Sequence, residues 1–276
     1  MRIDAHQHFW LFDPLKDAWI TEEMKDLKRN FLPNDISLIM KTNQIDGVIA
    51  VQADQSLREN GFLLELAQAY ALIKGIVGWV DLRSKDLEEQ LDHYAQFPKI
   101  KGFRHLVEAE TDPDFLMNAE FLQGISALSK RNFTYDLLIK PIHYQSTLAC
   151  VKANPSQRFM LDHMAKPPIK TQEFDDWAVF IAALSTFPNV YCKISGLGTE
   201  ADWKQWKLEH FTSYIAHAIH SFGPERIVFG SDWPVCLLAG TYEENLSIVE
   251  SHLMDFSAEE KKGFWGLNAV AFYGLK

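Results

Sequence analysis

Eight short apolar runs, separated by stretches long enough for a helix, constrain this chain more than any other feature. The runs cover residues 3–8, 47–52, 76–81, 100–106, 134–139, 159–163, 190–195 and 227–232. Several are continuously apolar rather than alternating, as strands of a parallel sheet covered on both faces should be. Between them, 60–70 places Phe62, Leu63, Leu66 and Ala67 on one helical face, and 85–95 offers an acidic first turn followed by Leu87, Leu91 and Tyr94. Segments 174–187 and 211–222 show the same apolar spacing. Strand and helix alternating eight times predict a (β/α)8 TIM barrel. A doubly wound open sheet would carry a Gly-rich phosphate turn after its first strand, and Phe9-Trp10 stands there instead.

The 276 residues match the roughly 250 of a barrel domain. No internal repeat, low-complexity tract or linker invites a cut, so residues 1–276 read as one domain. The segment 11–40, which follows Trp10 and carries Phe12, Pro14 and Trp19, is expected to fold over the barrel mouth.

Formal charge near −10 and short basic clusters mixed with acids, such as Lys25 to Arg29, argue against a nucleic-acid partner. Residues 1–4 pass straight into strand-like sequence, so no signal peptide is expected, and no apolar run approaches the ~20 residues that span a bilayer. Cys150, Cys192 and Cys236 are odd in number and widely spaced, the pattern of reduced thiols in a cytoplasmic protein. Cys236, close to Asp232, reads as a buried structural thiol. The expected partner is a small molecule, the expected assembly a monomer or homodimer.

Chemistry concentrates at the strand ends. Residues i and i+2 of a strand share a face, so His6 and His8 present two imidazoles side by side, as a divalent cation requires. The run 159–163 ends in His163, and 227–232 delivers Asp232 just before Trp233-Pro234. In a barrel these are C-terminal ends of strands 1, 6 and 8, the face that carries active sites. Strands 1 and 8 are neighbours at closure, so His6, His8 and Asp232 can converge on one divalent metal ion, with His163 facing them across the mouth. A bound metal would acidify water and polarise a carbonyl, while Asp232 accepts the water proton and passes it to the leaving oxygen.

The segments D-A-H-Q-H-F-W (4–10), G-W-V-D-L (78–82), K-G-F-R-H-L (101–106), L-D-H-M-A-K-P (161–167), N-V-Y-C-K-I-S-G-L (189–197) and F-G-P-E-R-I-V-F-G-S-D-W-P-V (222–235) carry a resemblance. In order, and over nearly the whole length, they resemble the amidohydrolase superfamily and its sugar-lactonase branch, the L-fuconolactonase- and L-rhamnonolactonase-like hydrolases. The resemblance implies hydrolysis of a sugar-acid lactone. It places His6 and His8 on the strand-1 pair, His163 on the strand-6 histidine and Asp232 on the strand-8 base. Typical superfamily members add a metal-bridging Lys or Glu on strand 4 and a histidine on strand 5. Here strand 4 offers Lys101, Arg104 and His105, and strand 5 reads Thr-Tyr-Asp-Leu-Leu without histidine. A binuclear centre is therefore not expected, which leaves a single divalent ion, zinc or similar, or none.

Without a metal, His163 or an arginine must stabilise the oxyanion. Arg104 and His105 face opposite ways in a regular strand, so one of them enters the pocket. Gln52 at the end of strand 2 and Lys166 after strand 6 are candidates for sugar hydroxyls, and Trp10, Trp79 and Trp233 for stacking on a sugar ring. The competing readings are a metal-dependent decarboxylase or hydratase and a pyrone-dicarboxylate lactonase of the same superfamily. A non-catalytic sugar-binding barrel would lack the base that Asp232 supplies.

Overall fold

The computed structural model describes residues 1–276. Its strands are β1 (Ile3–Gln7), β2 (Gly47–Val51), β3 (Ile73–Gly78), β4 (Ile100–His105), β5 (Thr134–Leu137), β6 (Phe159–Leu161), β7 (Val190–Ile194) and β8 (Ile227–Phe229). They form one eight-stranded sheet, parallel throughout and in sequence order. Each strand is followed by a helix: α1 (Pro33–Thr42), α2 (Leu57–Ala69), α3 (Leu87–Tyr94), α4 (Ala119–Lys130), α5 (Tyr144–Ala153), α6 (Asp175–Ser185), α7 (Glu209–Phe222) and α8 (Tyr242–Glu250). Two short helices, α9 (Ala258–Lys262) and α10 (Asn268–Tyr273), complete the order. This is a TIM barrel, and no helix is long and apolar enough to cross a membrane.

Local sequence explains the helices. Leu87, Leu91 and Tyr94 form the buried stripe of α3, spaced three to four residues apart as burial of one helical face requires. At the start of α8, the Thr241 hydroxyl accepts the Glu244 N–H at 3.1 Å while the Glu244 carboxylate accepts the Thr241 N–H at 2.7 Å. That reciprocal pair satisfies two donors that a helix start leaves free.

The barrel closes between β1 and β8. The His8 N–H donates to the Trp233 carbonyl at 2.7 Å, and the Asp232 N–H to the His6 carbonyl at 2.9 Å. Beneath them the buried Asp4 carboxylate accepts the Ser231 N–H at 2.8 Å and the Tyr242 hydroxyl at 3.1 Å. At the opposite end α10 forms a floor. Ala269, Phe272 and Tyr273 pack with Ile3, Ala5, Ile49, Val51 and Val228 in a small apolar cluster separate from the main core.

Three strands differ from the sequence reading. β3 runs three residues earlier than expected, over Ile73–Gly78, because Lys74 and Gly75 disguise the start of its apolar run. β6 stops at Leu161, where His163, Met164, Ala165 and Lys166 adopt φ of +52°, +51°, +58° and +53°. β8 stops at Phe229, and Asp232 likewise has φ of +61°. Left-handed backbone at His163 ends the β6 ladder, since a non-glycine residue there cannot continue a regular strand. Beyond Phe229, by contrast, the chain keeps only isolated bonds to β1 around the left-handed Asp232.

The loop after β2 is pinned by Glu59 of α2, whose carboxylate accepts the Ala53 N–H at 3.0 Å. Burial pushes the Glu59 carboxyl up to about 7, outweighing that bond and the nearby Lys16. A carboxyl raised in the fold stays protonated while the unfolded chain has already lost its proton, so stability falls as pH rises from about 4.5 to 7 and levels off above. Glu59→Gln keeps the acceptor and removes the charge. The variant should match wild type in thermal unfolding near pH 4.5 and exceed it at pH 8 by about 2 kcal/mol, or roughly 6 °C. An equal difference at both pH values would show that Glu59 titrates normally.

Candidate active site

At the C-terminal ends of the strands lies a cavity of about 520 Å³, the size of a small-molecule site. Its wall includes His8, Arg104, His163 and Asp232 at the deep end, Lys140, Lys166, Glu108 and Glu200 on one side, and Trp10, Trp19, Met24, Val235 and Leu238 among its apolar parts. The segment after β1 supplies part of that apolar surface. Trp10 pairs with Phe31 through backbone bonds of 2.9 Å in each direction, and its indole N–H donates to the Arg29 carbonyl at 2.9 Å. Residues 11–40 thus reach over the mouth and bring Trp19 and Met24 to the cavity.

Four ionisable side chains meet at the bottom. His6 Nε2 lies 3.1 Å from His8 Nε2 and 3.7 Å from Asp232 Oδ1, which is 3.4 Å from His8 Nε2 and 4.0 Å from His163 Nε2. Two glycines permit this crowding. A Cβ on Gly196, itself at φ +62°, would stand 2.5 Å from His163 Nδ1, and one on Gly230 would stand 2.6 Å from the His6 Cβ.

Burial drives the His163 imidazolium down to about 4, despite the facing Asp232 and Asp162, so the ring is neutral at neutral pH. Burial likewise holds His6 well below the ordinary histidine range. For Asp232 burial works the other way, yet His163 and the bond from His8 outweigh it and hold the carboxyl below the usual carboxylate range. The bottom of the cavity therefore sets the neutral His6 and His163 rings beside one fixed negative charge.

Ring orientation follows from hydrogen bonds. His8 Nδ1 lies 2.9 Å from the Val51 carbonyl, which can only accept, so that nitrogen carries a proton while Nε2 faces Asp232 and His6. His163 Nδ1 is held by the Ser195 hydroxyl at 2.9 Å. His6 Nδ1 lies between Lys193 Nζ at 3.2 Å and Asp162 Oδ1 at 3.5 Å.

Beneath the site runs an ionic cluster that sequence reasoning missed. The fully buried Lys193 ammonium donates to Asp136 at 2.8 Å and to Asp162 at 2.7 Å. Asp162 also accepts from Arg104 at 3.0 Å, and Asp136 from the Tyr273 hydroxyl of the floor at 2.8 Å. Burial opposes ionisation of Asp162, but Lys193, His6 and Arg104 hold its carboxyl well below the usual range. The available signal was Lys193 itself: a lysine inside the run Val190–Ile194, on a strand buried on both faces, must have a buried counter-charge.

The structure brings His6, His8, His163, Asp232 and Arg104 together and places Lys166 and Trp10 in the cavity wall. Four expected contacts lie behind the wall instead. His105 faces away from Arg104 along the same strand, stacks on Phe115 with centroids 4.9 Å apart and pairs with Glu110 at 2.7 Å. Gln52 is fully buried and spends its carboxamide on Arg104, accepting the guanidinium at 3.2 Å and donating to the Arg104 carbonyl at 3.3 Å. Trp233 packs against Phe9 and Phe31 in the core, because the left-handed Asp232 turns its successor away. Trp79 is likewise outside the cavity, its indole directed at His105. Cys236 is buried, and burial raises its thiol well above the ordinary range.

The donor set suits a metal. His6, His8 and Asp232 offer one ligand atom each within 4.8 Å of one another, as do His6, Asp162 and His163, a nitrogen and oxygen set appropriate to a divalent transition ion. Ligation through His6 Nε2 requires the ring proton on Nδ1, where Asp162 is placed to accept it.

Comparison with known proteins agrees with this fold. The amidohydrolase family model matches residues 3–275. An L-fucono-1,5-lactonase from Burkholderia multivorans is 37% identical, covering 100% of this chain and 96% of its own length. An L-rhamnono-gamma-lactonase from Scheffersomyces stipitis is 27% identical over 52% of this chain and 48% of its own. A crystal structure of an amidohydrolase from Burkholderia multivorans with bound zinc superposes with a TM-score of 0.96 at 37% identity, covering 100% of both chains. A probable 2-pyrone-4,6-dicarboxylic acid hydrolase from Acinetobacter baumannii, at 17% identity and a TM-score of 0.79 over 99% of both chains, shares the fold. On its sequence and its barrel alike, this chain belongs to the amidohydrolase family.

Proposed function

We propose that the protein hydrolyses a sugar-acid lactone, of the L-fucono-1,5-lactone or L-rhamnono-1,4-lactone type, to its aldonic acid in sugar catabolism. The observation that carries the reading is Asp232, a carboxylate kept ionised beside the neutral His6 and His163 at the bottom of the cavity. The full-length likeness to an L-fucono-1,5-lactonase supports the choice of substrate.

Asp232 takes a proton from a water as its oxygen attacks the lactone carbonyl carbon, giving a tetrahedral oxyanion. Arg104, anchored by Asp162 and the Gln52 carbonyl and 3.3 Å from His6 Nε2, is a fixed cation in the wall beside this centre. With Ser195 donating to Nδ1, the neutral His163 offers an Nε2–H to the same oxyanion. Collapse breaks the bond to the ring oxygen, which receives the proton from Asp232 and leaves as a hydroxyl of the same molecule. A lactone is an activated ester, so this modest equipment suffices. His6, His8 and Asp232 would hold a single divalent cation, zinc or similar, which when bound supplies Lewis-acid polarisation of the carbonyl.

Arg104 is the sole arginine of the wall, which disfavours a dicarboxylate pyrone. The test is hydrolysis of a lactone panel, followed with a pH indicator, with and without chelator. L-fucono- or L-rhamnonolactone should open at least about a hundredfold faster than spontaneously. Failure to accelerate any lactone, with zinc supplied, would overturn the reading. The chelator arm reports whether the cation contributes to rate.

A further inference from the structure

One side of the cavity carries charges that the proposed reaction does not use. Glu108 lies in the turn Val107–Ala109 after β4, Glu200 in the turn Gly198–Glu200 after β7, and Lys166 in the left-handed segment after β6. The Lys166 ammonium spans the two carboxylates, 2.7 Å from Glu108 and 3.3 Å from Glu200. All three line the cavity and keep about a quarter of their side-chain surface exposed, 24%, 23% and 24% for Glu108, Glu200 and Lys166.

This is an expensive arrangement for a mere brace. Four consecutive non-glycine residues, His163 to Lys166, adopt left-handed backbone to deliver His163 and Lys166 to the cavity together. The turn is secured from outside by the Trp177 indole N–H, which donates to the Met164 carbonyl at 2.7 Å. Two carboxylates and an ammonium with a third N–H unspent form a surface of acceptors and one donor, the complement of adjacent hydroxyl groups. The apolar side made by Trp10, Trp19 and Leu238 suits the carbon face of a ring.

The charge balance is equally specific. Arg104 is compensated by Asp162 and Lys166 by two carboxylates, while Asp232 adds a further negative charge at the bottom. Lys140 alone stands exposed at the rim. A ligand bearing a carboxylate at its far end meets acceptors where it needs donors.

We propose that Glu108 and Glu200, bridged by Lys166, are specificity-determining residues that select a neutral polyhydroxylated lactone and exclude one carrying a second carboxylate. This rests on the lactonase reading for its substrate class. Neutralising either acid while keeping an acceptor, by Glu108→Gln or Glu200→Gln, relaxes the exclusion.

The experiment compares kcat/KM for L-fuconolactone and for an aldaric acid monolactone in wild type and both variants. Binding of fucitol and of glucarate, measured by calorimetry, forms a second arm. Wild type should prefer the neutral lactone, and each variant should narrow the preference by about tenfold or more. The change should appear in KM, rising for L-fuconolactone and falling for the monolactone. A role confined to bracing the loops would change both substrates alike and leave the ratio where it was, which overturns the proposal. If wild type opens no lactone, the lactonase reading fails. The binding arm then decides alone: glucarate gaining on fucitol in the variants upholds the selection, and an unchanged ratio rejects it.

Discussion

Asp232→Asn should reduce kcat/KM for lactone opening by about a thousandfold or more, the usual scale for losing a general base. The substitution suits this position for a structural reason. Asp232 sits at φ +61°, a conformation that asparagine tolerates better than most residues. Its backbone N–H remains on the His6 carbonyl at 2.9 Å, so the seam between β1 and β8 is unaffected. The amide preserves size and removes both the charge and the proton acceptor. Thermal unfolding should therefore shift by only a few degrees while activity collapses. A pH-indicator assay on the lactone panel reads the first quantity and circular dichroism the second. Activity within threefold of wild type would remove Asp232 from the mechanism and require another base.

Lys193→Met is expected to act on the fold. It leaves Asp136 and Asp162 buried without the ammonium that both accept from, and breaking a buried ionic cluster by removing one partner costs about 3–5 kcal/mol. For a chain of this size that corresponds to a fall of roughly 10 °C in Tm. The loss should be partly recovered in Lys193→Met with Asp136→Asn, where one uncompensated carboxylate is gone. Scanning calorimetry on the two variants checks both statements. A Tm within 2 or 3 °C of wild type for Lys193→Met, on the same size scaling, would mean that the carboxylates take up protons without cost.

The barrel is legible in the sequence because strands covered on both faces leave unbroken apolar runs, and these alternate with amphipathic helices. Where the reading slipped, a local feature hides the pattern. Lys74 on β3 faces outward and interrupts an otherwise apolar start, and the strand ends near His163 and Asp232 were overrun because no sequence signal marks left-handed non-glycine backbone. The site's first layer was legible for a geometric reason: histidines and a carboxylate at one predicted end of several strands must converge in a barrel. The layer behind it was not. Arg104 and His105 have opposite parity on β4, yet parity alone does not say which side is the cavity. Gln52 reads as a ligand for substrate and serves Arg104. Asp162 stands next to His163 in the sequence and was overlooked because its partner, Lys193, lies on another strand. Glu108 and Glu200 sit in brief turns, where charged residues are ordinarily solvated and carry no periodic signal.

The seam between β1 and β8 has a consequence for how the molecule comes into being. His6 and His8 belong to β1, whereas Asp232 and the Trp233 carbonyl that His8 bonds arrive more than two hundred residues later. The floor that places Tyr273 on Asp136 arrives later still. During synthesis β1 thus lacks its neighbour across the seam until β8 has been translated, and its apolar edge must be kept from other partners. No partly made chain possesses the histidine–aspartate cluster, so catalytic competence appears only once the last strand has docked against the first.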